Sequence, residues 1–94
     1  MKTTKLTGDA LNWAVNHVEG LTGILAPVNY WGKWEHGGPI IERSGIELEH
    51  DGFEWWARIK ADDDFNGRTP LIAAMRCYVA SKLGDDIDVP KELP

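Results

Sequence analysis

Thr69-Pro70-Leu71-Ile72-Ala73-Ala74-Met75-Arg76-Cys77-Tyr78-Val79-Ala80-Ser81-Lys82-Leu83-Gly84 is the longest run in the chain with both of its ends marked. The Thr69 hydroxyl suits an N-cap, and Pro70 suits the first helical position, whose amide has no intrahelical partner. Gly84 can take the left-handed conformation that closes a helix. Between these marks Leu71, Ile72, Met75, Tyr78, Val79 and Leu83 fall on one arc, which predicts a helix over 70–83 with that arc toward the core. Its other side is small rather than charged: Ala73, Ala74, Cys77, Ala80 and Ser81. Such a helix is covered twice, the second time by something that approaches closely. A second copy of the chain meeting Ala73, Cys77 and Ala80 would satisfy that, so a homo-oligomer is one expectation.

Working outward, Gly84 is followed by Asp85-Asp86-Ile87-Asp88-Val89, an acidic tail from about 85 that Ile87, Val89 and Leu93 could pin to the body. On the other flank, Asp62-Asp63-Asp64 invites a metal reading, but the spacing and closing Glu of a calcium loop are missing, and a solvated turn over 62–68 is expected instead. Before it stands the clearest strand signal. Ile46-Glu47-Leu48-Glu49-His50 alternates, Asp51-Gly52 favours a two-residue turn, and Phe53-Glu54-Trp55-Trp56-Ala57-Arg58-Ile59-Lys60 alternates back. That register opposes His50 to Phe53, Leu48 to Trp55 and Ile46 to Ala57 on one buried face. Glu47, Glu49, Glu54, Trp56, Arg58 and Lys60 share the wet face, where Trp56 is the one aromatic among charges.

The N-terminal half is less regular. Met1 to Leu6 tolerates an edge strand. Thr7 is a cap candidate for a helix over 8–19, with Leu6 and Leu11 placed for a hydrophobic staple and Gly20 as its stop. Leu11, Ala14, Val15 and Val18 share its apolar face, with Asn12 and Asn16 opposite; Trp13 and His17, four apart, can touch. That pair reads either as a stacking surface or as a boundary Trp beside a solvated His. Residues 20–39 are punctuated by Gly and Pro and predict no long element. They nevertheless gather Tyr30, Trp31, Trp34 and His36, either as a binding surface or as a lid on a small core.

Composition bounds the rest. The 94 residues predict one domain, 1–94. A net charge of −5 with scattered Lys and Arg argues against nucleic acid. The single cysteine excludes an internal disulfide framework and reads as a small buried hydrophobe. No run of about 18 apolar residues and no signal-peptide pattern appears, so a cytoplasmic chain without membrane contact is expected. Five tryptophans are the one unusual count.

Several blocks in combination resemble the NinX-like family of small tailed-phage and prophage proteins: Leu6-Thr7-Gly8 with Leu11-Asn12-Trp13-Ala14-Val15 and Glu19-Gly20, Gly37-Gly38-Pro39-Ile40-Ile41-Glu42-Arg43, Thr69-Pro70-Leu71-Ile72-Ala73-Ala74-Met75-Arg76, and Lys82-Leu83-Gly84 with Val89-Pro90. The resemblance runs nearly end to end. It implies work inside an infected bacterium and supplies no catalytic residue to carry over. The residues themselves predict an α+β domain, with a small antiparallel sheet built on a hairpin at about 46–60 and covered by helices at about 8–19 and 70–83. The function expected is a non-catalytic binding module for a small molecule, such as a nucleotide, or a host factor. Its groove would be lined by Tyr30, Trp31, Trp34, His36 and Trp56, with Arg43 or Arg58 for an anion and no metal or cofactor. The alternatives are an inhibitor that binds a host protein through the same aromatics and, third, a small enzyme using His17, His36 or His50, though no nucleophile–base–orienter set is recognisable.

Overall fold

The computed structural model describes residues 1–20, 28–59 and 64–90. Its centre is helix α3, Pro70–Leu83, which begins as its sequence predicts: the Thr69 hydroxyl accepts from the Ile72 amide at 3.1 Å and Pro70 opens the first turn. Its end differs. Gly84 has a positive φ of 88° but an extended ψ, so it turns the chain away without a left-handed cap, its amide donating to the Ala80 carbonyl. Leu71 to Met75 and Cys77 to Val79 are all buried, so α3 has no polar face along most of its length. Leu83, assigned by periodicity to the core arc, emerges at the surface.

The expected second cover of α3 comes from the chain itself. The sheet and helices α1 (Gly8–Glu19) and α2 (Trp34–Ser44) all pack against it. Ala73 and Cys77 are buried within the one chain, and of the small residues expected to meet a second copy only Ala80 is partly exposed. The close approach is made at Gly67, where a Cβ would lie 2.6 Å from the Ala73 amide nitrogen and 2.8 Å from Ile72 Cγ2. No larger residue fits there without moving backbone.

The sheet is antiparallel with order β1-β2-β3: Glu47–His50, Trp55–Arg58 and Phe65–Gly67. The α+β architecture is therefore the one its sequence predicts, but three details differ. First, the hairpin turn is longer. Leu48 opposes Ala57 and His50 opposes Trp55, a shift of two residues that leaves 51–54 as the turn and carries Phe53 off the buried face into solvent. Because the shift is even, Leu48, His50, Trp55 and Ala57 still share the inner face, and Glu47, Glu49, Trp56 and Arg58 the outer one. His50, however, at the strand end beside the lengthened turn, is exposed rather than buried as the two-residue register predicts. Second, residues 65–67 form a third strand rather than a turn, with Trp56 opposite Asn66 and Ala57 opposite Phe65. Asp62 and Asp63 lie outside the described residues, as does Lys60.

Third, α2 occupies residues expected to be irregular. Pro39 sits inside it, so the Glu35 carbonyl lacks the amide that would normally meet it. Gly38 has no Cβ to strike the proline ring, which relaxes the usual bar to helix before Pro. The helix forms because Gly37 and Ile40 bury against the body. A Cβ on Gly37 would collide with the Tyr30 carbonyl and the Leu71 side chain.

Helix α1 has the expected bounds and ends at a left-handed Gly20, but the Thr7 hydroxyl makes no capping bond. Residues 3–5 are a 3₁₀ turn, not a strand, and the first residues meet the tail through one Lys2–Asp86 bridge. The Met1 ammonium donates to Asp86 Oδ1 at 3.0 Å and the Ile87 carbonyl at 2.8 Å, and Ile87 is buried. Leu93 lies outside the described residues. Arg76 joins distant segments by donating from Nε to the Leu6 carbonyl and from Nη1 to the Asn66 carbonyl.

Candidate functional site

The hairpin turn is built around one carboxylate. Asp51 Oδ1 accepts from the Phe53 and Glu54 amides at 2.8 and 2.9 Å, and Oδ2 accepts from the Trp56 indole at 2.7 Å. The Asp51 amide itself donates to the Glu54 carbonyl, and the Gly52 amide donates to His50 Nδ1. An Asp accepting from amides two and three residues on is the local reason the chain turns over four residues rather than two. The same donors, the Glu54 amide first, then the Trp56 indole and the Phe53 amide, hold the Asp51 carboxyl down at about 2. Glu54 accepts at Oε2 from the Asn66 amide group at 2.8 Å. The turn so fixed holds the Phe53 ring 95% exposed. Behind it the His50 and Trp55 rings lie 5.0 Å apart on the inner face.

Trp56 stands half-buried on the outer face with Glu49 opposite on one side and Asn66 on the other. Arg58, farther along the same face, is surrounded by acid: Asp64 at 2.7 Å, Glu49 at 3.5 Å and Glu47 at 3.9 Å. The Asp64 hydrogen bond and charge, with help from Glu49, raise its pKa. An external anion at Arg58 would have to compete with all three carboxylates.

The aromatic segment before α2 is tied to α1 by polar bonds. Asn12 donates to Asn29 and accepts from the Tyr30 amide, and the Tyr30 hydroxyl donates to Asn16 at 2.7 Å. Tyr30 is thereby a core residue, 4% exposed. The Asn29 amide donates to His36 Nδ1 at 3.0 Å, a bond that requires that nitrogen to carry no proton. Trp31 packs on the core, its indole N–H buried without an acceptor among the described residues. Trp34, the first residue of α2, is 54% exposed.

Arg43 belongs to a third place, where the last turns of α1 and α2 meet over α3. Its Nη2 donates to Glu19 Oε1 at 2.8 Å and to the Tyr78 hydroxyl at 3.2 Å, while that hydroxyl donates to Glu19 Oε2 at 2.7 Å. Burial pulls the Glu19 carboxyl up, but the bonds from Arg43 and Tyr78 and the charges of Arg43 and Lys82 outweigh it and leave it low. A cleft of about 500 Å³ opens here, lined by Arg43, Ser44, Ile59, Tyr78, Ser81 and Lys82. Its two cations sit in the last turns of their helices, where they offset the helix dipoles, and Glu19 neutralises one of them. The Trp13 and His17 rings stack at 5.1 Å and line a smaller cleft of about 250 Å³ with Leu83, Ile87 and Asp88.

The residues expected to share one groove are thus placed in three settings. Tyr30, Trp31, Trp34 and His36 lie on the α1–α2 side, Arg43 at the helix ends, and Trp56 with Arg58 on the outer sheet face. Phe53 and Asp51 were not among them. The signal that could have found them is Asp51 followed by Gly52 and Glu54, a side-chain-capped turn, which the two-residue reading of Asp51-Gly52 masked.

Fold and surfaces together define a small α+β domain wound round one apolar helix, with its aromatic side chains surfacing at the hairpin end of the sheet and the first turn of α2. The chain belongs to the phage protein family described as Bacteriophage P22, NinX, whose family model matches residues 26–82. That span covers α2, the whole sheet and nearly all of α3. Curated proteins give no match. Among the described residues no helix is long and apolar enough to cross a membrane, and no group of His, Cys, Asp and Glu is arranged to hold a metal ion.

Proposed function

We propose that the chain is a non-catalytic binding protein of a phage, acting in the cytoplasm of the infected bacterium, and that it engages a host protein through the hairpin end of its sheet. The observation that carries this reading is Phe53, fully exposed on a turn that Asp51 fixes in one conformation. An apolar ring held out by a preformed turn loses little freedom on docking, and aromatic anchors of this kind dominate binding energies at interfaces. The histidines favour binding over catalysis: among the described residues none of the three imidazoles shares a hydrogen bond with a carboxylate. His17 stacks on Trp13, His36 accepts from Asn29, and His50 accepts from Gly52.

A small-molecule reading draws on the cleft beside Arg43, whose volume lies within the range of about 300–1,000 Å³ usual for ligand sites. Its cations are already balanced by Glu19 and the helix ends, so the hairpin reading is preferred. Affinity capture from infected cells tests both. With wild-type chain as bait a host protein is expected, and Phe53→Ala should release it while Arg43→Ala retains it. Recovery of a small molecule lost on Arg43→Ala, with Phe53→Ala unaffected, would overturn the hairpin reading.

A further inference from the structure

Charge is unevenly distributed along the hairpin. Residues 45–57 include Glu47, Glu49, Asp51 and Glu54 and not one Lys or Arg. Glu47 and Glu49 face Arg58, but the two carboxylates nearest Phe53 are held by neutral donors only: Asp51 by amides and an indole, Glu54 by the Asn66 side chain. Neutral donors fix a carboxylate without cancelling its charge. The register brings the exposed Arg68 to this end of the sheet, and Arg76, which donates to the Asn66 carbonyl, keeps a charge that acts on Glu54. The turn itself, residues 51–54, shows one aromatic ring between two acids, Asp51 and Glu54, and carries no cation of its own.

That pattern selects among occupants. Nucleic acid and anionic membranes would be repelled by these acids. So would a second copy of a chain whose net charge is −5. An apolar pocket bordered by Lys and Arg on another protein complements both features, because the ring fills the pocket and opposite charges set orientation and speed of encounter. One ring covers about 150–250 Å², against about 800 Å² per partner in a stable interface, so the contact would continue over the outer sheet face past the half-exposed Trp56.

We infer that the hairpin end is an aromatic plug, Phe53 rimmed by Glu49, Asp51 and Glu54, for a basic-rimmed apolar pocket on a host protein. The inference rests on the binding-protein reading above and names the chemistry of its partner. A photo-reactive phenylalanine analogue placed at position 53 of the full chain should cross-link one host protein in infected cells, at a peptide where Lys or Arg adjoins apolar residues. With that protein purified, Phe53→Ala should weaken binding about thirtyfold or more. The paired change Glu49→Gln and Glu54→Gln, which leaves the Asp51 turn intact, should slow association about three- to tenfold at low salt and flatten its salt dependence. If Phe53→Ala binds like wild type, or position 53 cross-links nothing or only a second copy, the reading and the inference fail together. If Phe53→Ala loses binding but the Gln pair does not slow it, and the linked surface carries no cation, the plug stands and the basic rim is refuted.

Discussion

Asp51 shows how one side chain decides both a register and a surface. Its carboxylate meets three N–H donors, which lengthens the turn, shifts the pairing by two residues and turns Phe53 outward. Because those donors favour the ionised form, the folded-state value of about 2 lies below the ordinary 3.8. The sign follows: the turn is favoured in full above pH 3.8, and that contribution is lost as pH falls through about 2. A carboxyl carbon NMR titration should place the Asp51 midpoint near 2. A midpoint at the ordinary aspartate value would mean that the side chain does not hold the turn. Trp56 is tied to the same oxygen pair, so its indole N–H resonance should move with the same midpoint.

At the scale of elements, α2 is the instructive case. Gly37 and Gly38 both weaken a helix by propensity, and replacing either with Ala would ordinarily add up to about 1 kcal/mol. Here Gly37→Ala should instead destabilise, because its new methyl meets the Tyr30 backbone and Leu71. Gly38→Ala should gain nothing while Pro39 follows it, then recover most of that kcal/mol once Pro39→Ala is also made. Urea midpoints of Gly37→Ala, Gly38→Ala, Pro39→Ala and the Gly38→Ala/Pro39→Ala pair check this against wild type, and a stabilising Gly37→Ala would show that the close approach is absent. The same contrast explains what could be read in advance. Helices α1 and α3 carry their own marks, apolar spacing with Thr7, Gly20, Thr69 and Pro70, and the hairpin strands alternate. Helix α2 exists through contacts with segments distant in sequence, and β3 is three residues long between Asp64 and Arg68, so neither had a local signature. Trp56 on the charged face was legible from parity alone, which survives an even shift. The outward Phe53 was not, because it depends on which atoms Asp51 holds.

For the whole molecule, Arg76 reaches from the central helix to the chain start and to β3, supplying donors to the Leu6 and Asn66 carbonyls. Burial lowers its pKa, yet arginine stays charged across the working range. Arg76→Met keeps the length of the side chain but strands both acceptors, and should cost about 2–3 kcal/mol in urea unfolding. A loss under about 0.5 kcal/mol would mean that the clamp contributes little. The family match at 26–82 spans the hairpin, the Arg76–Asn66 bond and the Gly37–Tyr30 contact, while Leu6, the other acceptor of Arg76, precedes it. Whether the fold serves to present the turn is decided by where a partner covers it. Amide hydrogen exchange of the full chain, alone and with the captured host protein, reads this directly. Added protection is expected over 49–56, with residues 28–36 and the Arg43 cleft unchanged. Protection centred on Trp34 or on the cleft, with the hairpin exchanging as in the free chain, would contradict the account.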